Sequence, residues 1–194
     1  GELGIPLIRQ LVSHAVPAIR DRARTLLKDS LPEDRQVVID RFKAAAEKDG
    51  DAKKGREVFK KNCAPCHRIG DLGTAVGPDI SDTLSKKKEQ FLVDILDPSR
   101  VIDNNYMNVL VRTKSGAILS GFIAEQTASS LTLRRGEGQQ DVVLRADIEE
   151  MKSSGTSLMP EGVEKAIPLE EMTDLLTFLK GWRFIDAPER ERRP

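Results

Sequence analysis

Both cysteines of the chain and one of its two histidines fall within five consecutive residues, Cys63-Ala64-Pro65-Cys66-His67. Two cysteines this close do not staple a fold, so their spacing is read as chemistry. Three chemistries use such a pair. A dithiol redox pair opens a helix in a βαβ setting, and no such pattern surrounds residues 63–67. A structural zinc site needs four ligands, whereas His14 is the one other histidine and no third cysteine exists. The third chemistry is c-type haem attachment, for which C-x-x-C-H is the sequence motif. Two thiols three positions apart reach the two vinyl groups on one edge of a haem. His67, next in the chain, then stands under the iron as an axial ligand, and axial ligands and burial tune the iron's potential. The expected cofactor is one covalently bound haem c.

No other constellation points to catalysis. Ser13 and His14 adjoin in sequence, but adjacent helical residues do not face each other. Residues 106–152 contain no His and no Cys. With 194 residues, the chain has room for one large domain or two small ones. Its 39% hydrophobic and 32% charged residues describe a globular protein. Lys+Arg and Asp+Glu both number 31, which argues against nucleic acid as the partner, since phosphate binding wants a basic excess. No apolar run approaches the roughly 18 residues of a membrane span. No secretory signal is present and the chain opens on Gly, as expected of a processed protein or an excised piece. Aromatic residues are only 4%, low for a core of this size, and a large apolar cofactor would supply missing bulk.

The elements around the motif follow from periodicity. Residues 1–48 read as helical, with Ile5, Leu7, Ile8, Leu11 and Val12 at helical spacing. Pro17 suits a first helical turn, before Ile19, Ala23, Leu26 and Leu27. Ser30 and Glu33 around Pro32 form a capping box, before Val37, Val38, Phe42 and Ala45. Lys48-Asp49-Gly50-Asp51 is a turn, and Asp51 caps a helix over 52–62 that runs into Cys63. A loop with Gly70, Gly73, Gly77 and Pro78 follows, then a helix over 86–96, closed by Pro98. From Tyr106 the pattern becomes β, with strands over 106–113, 117–124, 130–134, 141–144 and 148–152. Turns are expected at Lys114-Ser115-Gly116 and Gly136-Glu137-Gly138. Five short strands at this spacing suggest a small barrel. Residues 153–168 read as a loop. Leu169, Met172, Leu175, Leu176 and Leu179 mark a last helix, and the charged tail from Ala187 is expected to fray. The expected fold class is mainly α with an inserted β segment.

Residues 52–105 and 155–182 resemble a class I cytochrome c. Gly55, Phe59 and Cys63 fall four apart on the first helix, as in that family. Leu175 and Phe178 match the Leu and aromatic pair that the family packs against that Gly. Gly77-Pro78 resembles the Gly-Pro after the haem motif, whose Pro carbonyl accepts a hydrogen bond from the ligand His. The resemblance implies that Pro78 fixes the tautomer and ring plane of His67; the alternative is an ordinary turn. The family's sixth ligand is a Met, usually before a Pro. Met107 and Met151 fall in strand patterns, and Met172 lies on the apolar stripe of the last helix. Met159 directly precedes Pro160 in a loop, so the resemblance implies that His67 and Met159 are the metal ligands. A gap-filling Met is the alternative.

The interval from His67 to Met159 exceeds the family's usual one by about the length of 106–152. A β insertion of this kind resembles the haem-binding domain of Planctomycetes and Verrucomicrobia type. The residues carrying that likeness are Gly50-Asp51, the haem motif, Val76-Gly77-Pro78-Asp79, Leu96-Asp97-Pro98-Ser99, Ala146-Asp147-Ile148 and Ser157-Leu158-Met159-Pro160. It implies a cytochrome c-like haem domain over 49–105 and 153–186, and a five-stranded SH3-like barrel inserted over 106–152. Residues 1–48 would end a HEAT-like helical array, and 187–194 would be a tail. Such domains often close large periplasmic proteins with sugar-dehydrogenase-like modules. That implies a periplasmic or otherwise extracytoplasmic location and a redox protein partner or fused dehydrogenase module.

Three functions compete. A His/Met haem has no vacant site and carries single electrons rather than activating substrate, which makes the chain an electron-transfer protein and not itself an enzyme. Lys53, Lys54, Lys60, Lys61 and Arg68 then offer a docking face for an acidic partner, or simply a solvated face. A haem-based sensor would need a displaceable sixth ligand. An interaction module would use the haem as structural glue.

Overall fold

A computed structural model describes residues 8, 11–28, 33–83, 85–135 and 138–186. The chain divides into two compact units, Gly1–Val38 and Ile39–Pro194. In the first, Pro17 opens helix α1 (Pro17–Leu26), where its missing N–H leaves no hydrogen bond unmade. Ala23 is buried, whereas Ile19 and Leu26 of the expected apolar face are exposed. Ile5, Leu7 and the Ser30 and Pro32 positions of the expected capping box lie outside the described residues.

Helix α2 (Arg35–Glu47) runs into the second unit. Its Ile39, Phe42, Ala45 and Ala46 are buried; Val37, expected on the same face, is exposed. The turn after it ends at Asp51, whose carboxylate accepts from the backbone N–H groups of Lys53 at 2.8 Å and Lys54 at 3.3 Å. That cap satisfies two of the orphan donors of helix α3 (Ala52–Asn62). Helix α4 (Lys88–Leu96) starts two residues later than its pattern implies. Helix α5 (Leu169–Gly181) buries Met172, Leu175, Leu176, Phe178 and Leu179, which recur at helical spacing.

Helix α3 crosses α5 at Gly55. A Cβ there would collide with the main-chain carbonyl of Asp174 and lie 2.8 Å from Cβ of Phe178. Only glycine permits this approach. One turn along, the rings of Phe59 and Phe178 meet at 5.5 Å, tilted by 52°. The crossing is fastened at its mouth by Asp51 N–H donating to Asp174 Oδ1 at 2.7 Å and Gly50 N–H to Thr177 Oγ1 at 2.9 Å.

Two short strands, β1 (Arg68–Ile69) and β2 (Leu72–Gly73), pair just after the haem motif. The larger sheet comprises β3 (Met107–Thr113), β4 (Ile118–Gln126), β5 (Ser130–Arg134), β6 (Gln140–Leu144) and β7 (Ile148–Ser157), all antiparallel. Its order is β6-β5-β4-β3-β7. Among the described residues the two edge strands do not pair, so the hydrogen bonding leaves the sheet open instead of closing the expected barrel. Val109, Val111, Leu131, Leu133 and Val143 form its own core, with Leu119, Ile123 and Ile148 packed against them.

The last strand corrects the sequence reading. It does not stop at Lys152 but continues to Ser157, through a polar stretch expected to be loop. Pairing with β3 overrides composition there: Val109 lies opposite Ser153 and Met107 opposite Ser157, with an irregularity between. A single 3₁₀ turn, Val163–Lys165, interrupts the rest of the connection to α5. Gly136, Glu137 and the tail from Ala187 lie outside the described residues. No helix among the described residues is long and apolar enough to cross a membrane.

Candidate haem site

Helix α3 ends by delivering Cys63. The Cys63 N–H donates to Phe59 O at 2.8 Å, the last bond of the helix, and the chain then tightens. Cys66 and His67 N–H groups both return to Cys63 O, at 3.0 and 2.8 Å. This turn keeps both thiols and the imidazole on one side of a single loop. Burial, and then the neighbouring Cys66, push the Cys63 thiol up to about 12. A redox-active dithiol wants the opposite shift, toward thiolate, so the environment disfavours dithiol chemistry at this pair.

His67 is aimed by the segment that follows. Its Nδ1 lies 2.9 Å from Pro78 O. A carbonyl only accepts, so Nδ1 carries the proton and Nε2 keeps its lone pair. The partner segment is zipped alongside. Arg68 donates from Nε and Nη2 to Asp79 Oδ2 at 2.9 and 2.6 Å, Ile80 N–H donates to Arg68 O at 2.9 Å, and Gly70 N–H donates to Ser81 Oγ at 2.8 Å. The Ser81 hydroxyl, then the Arg68 guanidinium, hold the Asp79 carboxyl down at about 2. Gly77 lies directly beneath the ring, where a Cβ would fall 2.8 Å from His67 Cε1. Any side chain there would push the imidazole off Pro78.

Cys63, Cys66, His67, Pro78 and Met159 all line one cavity, partly open to solvent. The wall is largely apolar and includes Val76, Ile95, Leu158 and Val163. An apolar crevice with two thiols at one edge and an imidazole nitrogen free to coordinate fits a covalently held haem. Met172, by contrast, is fully buried in α5. His14 Nδ1 accepts from Val16 N–H at 3.1 Å within the first unit. Two of the five cations expected to form a docking face are engaged in ion pairs, Lys60 with Glu57 and Arg68 with Asp79.

Residues 52–120 match the family model for cytochrome c. A cytochrome c from Stellaria longipes is 50% identical over 34 residues, 17% of this chain and 32% of that protein. The match thus spans about a third of the curated relative's length. Together these support a c-type cytochrome, and in that family electron transfer rests on covalently bound haem c. Cytochrome c domains are typically extracytoplasmic.

Among the lining residues that sequence reasoning missed are two aromatics, Tyr106 and Phe122. Both come from the β segment, and their rings meet at 5.4 Å. On β4 the residues Leu119 and Ile123 face the sheet's own core, so Phe122 between them points the other way. The available signal was a large apolar Phe122 out of phase with Leu119 and Ile123 on the same strand. Arg134, paired with Phe122 across the strands, lies over its ring at 6.0 Å and donates to Ala75 O at 3.2 Å. The sheet is thereby tied to the segment after the haem motif.

Proposed function

We propose that residues 49–186 form a single-haem electron-transfer domain with His67 and Met159 as axial ligands. The observation that carries this reading is the convergence of Cys63, Cys66, His67, Pro78 and Met159 on one apolar cavity, although the sheet separates Met159 from the rest in sequence. Haem, when bound, supplies a one-electron ferric–ferrous couple. The sulfurs of Cys63 and Cys66 would hold it by thioether bonds. His67, its Nδ1–H hydrogen-bonded to Pro78 O, would offer Nε2 to the iron, and Met159 would offer a neutral thioether. With both positions taken by protein, no site remains for substrate, and a thioether favours the ferrous state and a raised potential.

The same reading extends to the surroundings. Ile148 and Val143, from strands at opposite edges of the sheet, share one core, which supports an SH3-like insert over 106–152. Residues 1–48 are read as the end of a HEAT-like array, and the domain as part of a periplasmic oxidoreductase receiving electrons from a dehydrogenase module or partner. Covalent attachment is tested by intact mass under denaturing conditions, which is expected to exceed the chain by one haem; a bare-chain mass would sink the reading. Axial ligation is tested by the ferric spectrum. A sulfur-to-iron band that disappears in Met159→Ala, with a lowered potential and new CO binding, is the expected result. An unchanged Met159→Ala spectrum would assign the sixth position to another residue.

A further inference from the structure

The segment carrying Met159 is polar and follows an irregular strand end, yet it is held by the protein itself. Ser157, the last residue of β7, lies opposite Met107, the first residue of β3. Its backbone N–H donates to Ser99 Oγ at 3.1 Å. Its hydroxyl oxygen accepts from the Met159 N–H, also at 3.1 Å. Before it, the extra residues of β7 are pinned as well: Ser154 Oγ donates to Asn108 O at 3.1 Å and accepts from Thr156 N–H at 3.2 Å. A continuous chain of contacts thus runs from the residue after Pro98, at the end of α4, through Ser157 to the backbone of Met159.

We infer that Ser157 is a positioning residue for the sixth ligand, with Ser99 holding Ser157 in turn. The inference rests on the reading of Met159 as that ligand. The Ser157 hydroxyl fixes the Met159 backbone before any iron bond forms, so the thioether is presented at little further entropic cost. Without the hydroxyl, the Met159 N–H loses its partner and the segment from Leu158 to Pro160 gains conformational freedom. The thioether then competes less well for the iron against an added ligand. The exchange is simple: an imidazole nitrogen takes the position the sulfur leaves, and no electron moves.

The test uses the haem-loaded protein and imidazole as the probe, followed by absorption of the ferric form. Ser157→Ala is expected to raise imidazole affinity about two- to ten-fold, the range one modest hydrogen bond supplies. Ser157→Thr, which keeps a hydroxyl, should restore the parent value. Ser99→Ala should raise the affinity by less. Thr156→Ala removes a neighbouring hydroxyl that bonds Ser154 rather than Met159, and should leave imidazole affinity unchanged whatever it does to stability. In Ser157→Ala the Met159 amide should also exchange faster with solvent deuterium. Met159→Ala is the reference. If it opens the iron to imidazole but Ser157→Ala binds no tighter than parent, the positioning role is wrong while the ligand assignment stands. If Met159→Ala itself changes nothing, both fall together. If Thr156→Ala raises affinity as much as Ser157→Ala, general loosening of the strand end explains the effect and the inference is overturned.

Discussion

The haem-motif loop, residues 63–81, and the five-stranded sheet, residues 107–157, contribute to the same cavity by opposite means. The loop is local. Most of its bonds join residues at most about a dozen positions apart, except for those Arg134 gives Ala75 O and Trp182 and Arg183 give Ser81 O, and its own core is thin, with Ile69 and Val76 as its buried apolar side chains. The sheet is non-local. It joins β3 to β7 across four intervening connections and buries a core of aliphatic side chains that owes nothing to the cavity. A segment with local bonds and little core depends on whatever fills its cavity; a sheet with its own core does not. The sheet instead lends the cavity Phe122, against which Tyr106 packs from the 3₁₀ turn before β3, and a strand end that leads to Met159.

The contrast predicts unequal responses. The largest effect is expected for Cys63→Ala with Cys66→Ala. Loss of covalent haem should abolish cooperative unfolding of residues 52–105 while the sheet amides remain protected, measured by hydrogen exchange. Equal loss in both regions would show that the sheet, too, relies on the cofactor. Phe122→Ala is next, because it removes a buried ring that belongs to the sheet by sequence and to the cavity by contact. It should cost about 3–5 kcal/mol in denaturant unfolding and lower the haem potential as water reaches the crevice. A stability loss with no change in potential would remove Phe122 from the site.

Gly55→Ala probes the helix crossing that both regions flank. The added Cβ meets the Asp174 carbonyl, which is backbone and yields only if α5 shifts. A loss of about 1–3 kcal/mol is expected, with the sheet's exchange pattern unchanged. The smallest effect concerns Asp79. Its carboxyl titrates from an ordinary 3.8 down to about 2 in the fold, so the stabilisation is present above pH 3.8 and is lost as pH falls from there through about 2. The Arg68–Asp79 pair is solvent-exposed and screened by salt. Asp79→Asn should therefore flatten the acid limb of the stability curve slightly, and more visibly at low ionic strength. A profile identical to the parent would show that the pair does not hold the His67 segment.

The motif at residues 63–67 was legible in the sequence because it rests on short spacing, whereas the partnership of His67 with Pro78 was implied by the resemblance to class I cytochrome c and is matched by the 2.9 Å contact. Two thiols and an imidazole need only a turn to meet. The role of Gly55 was implied by the same resemblance, and the structure matches it in the close approach of Asp174 and Phe178. The length of β7 was not legible. Residues 153–157 are mostly Ser and Thr with a Gly, which compose a loop by propensity, and only pairing with β3 and side-chain bonds to Asn108 and Ser99 make them a strand end.

What the sequence determined alone was the haem motif, the cap at Asp51, the apolar period of the last helix, and the existence of the five strands of the larger sheet. Tertiary structure decided which face of the sheet would serve the cavity, that Phe122 turns away from its own sheet's core, and that Met159 lines the same cavity as His67. Periodicity reports which residues share a face of one element, because that depends on local backbone geometry alone. Which element that face meets depends on strand order and on bonds between residues far apart in the chain, and no local pattern encodes those.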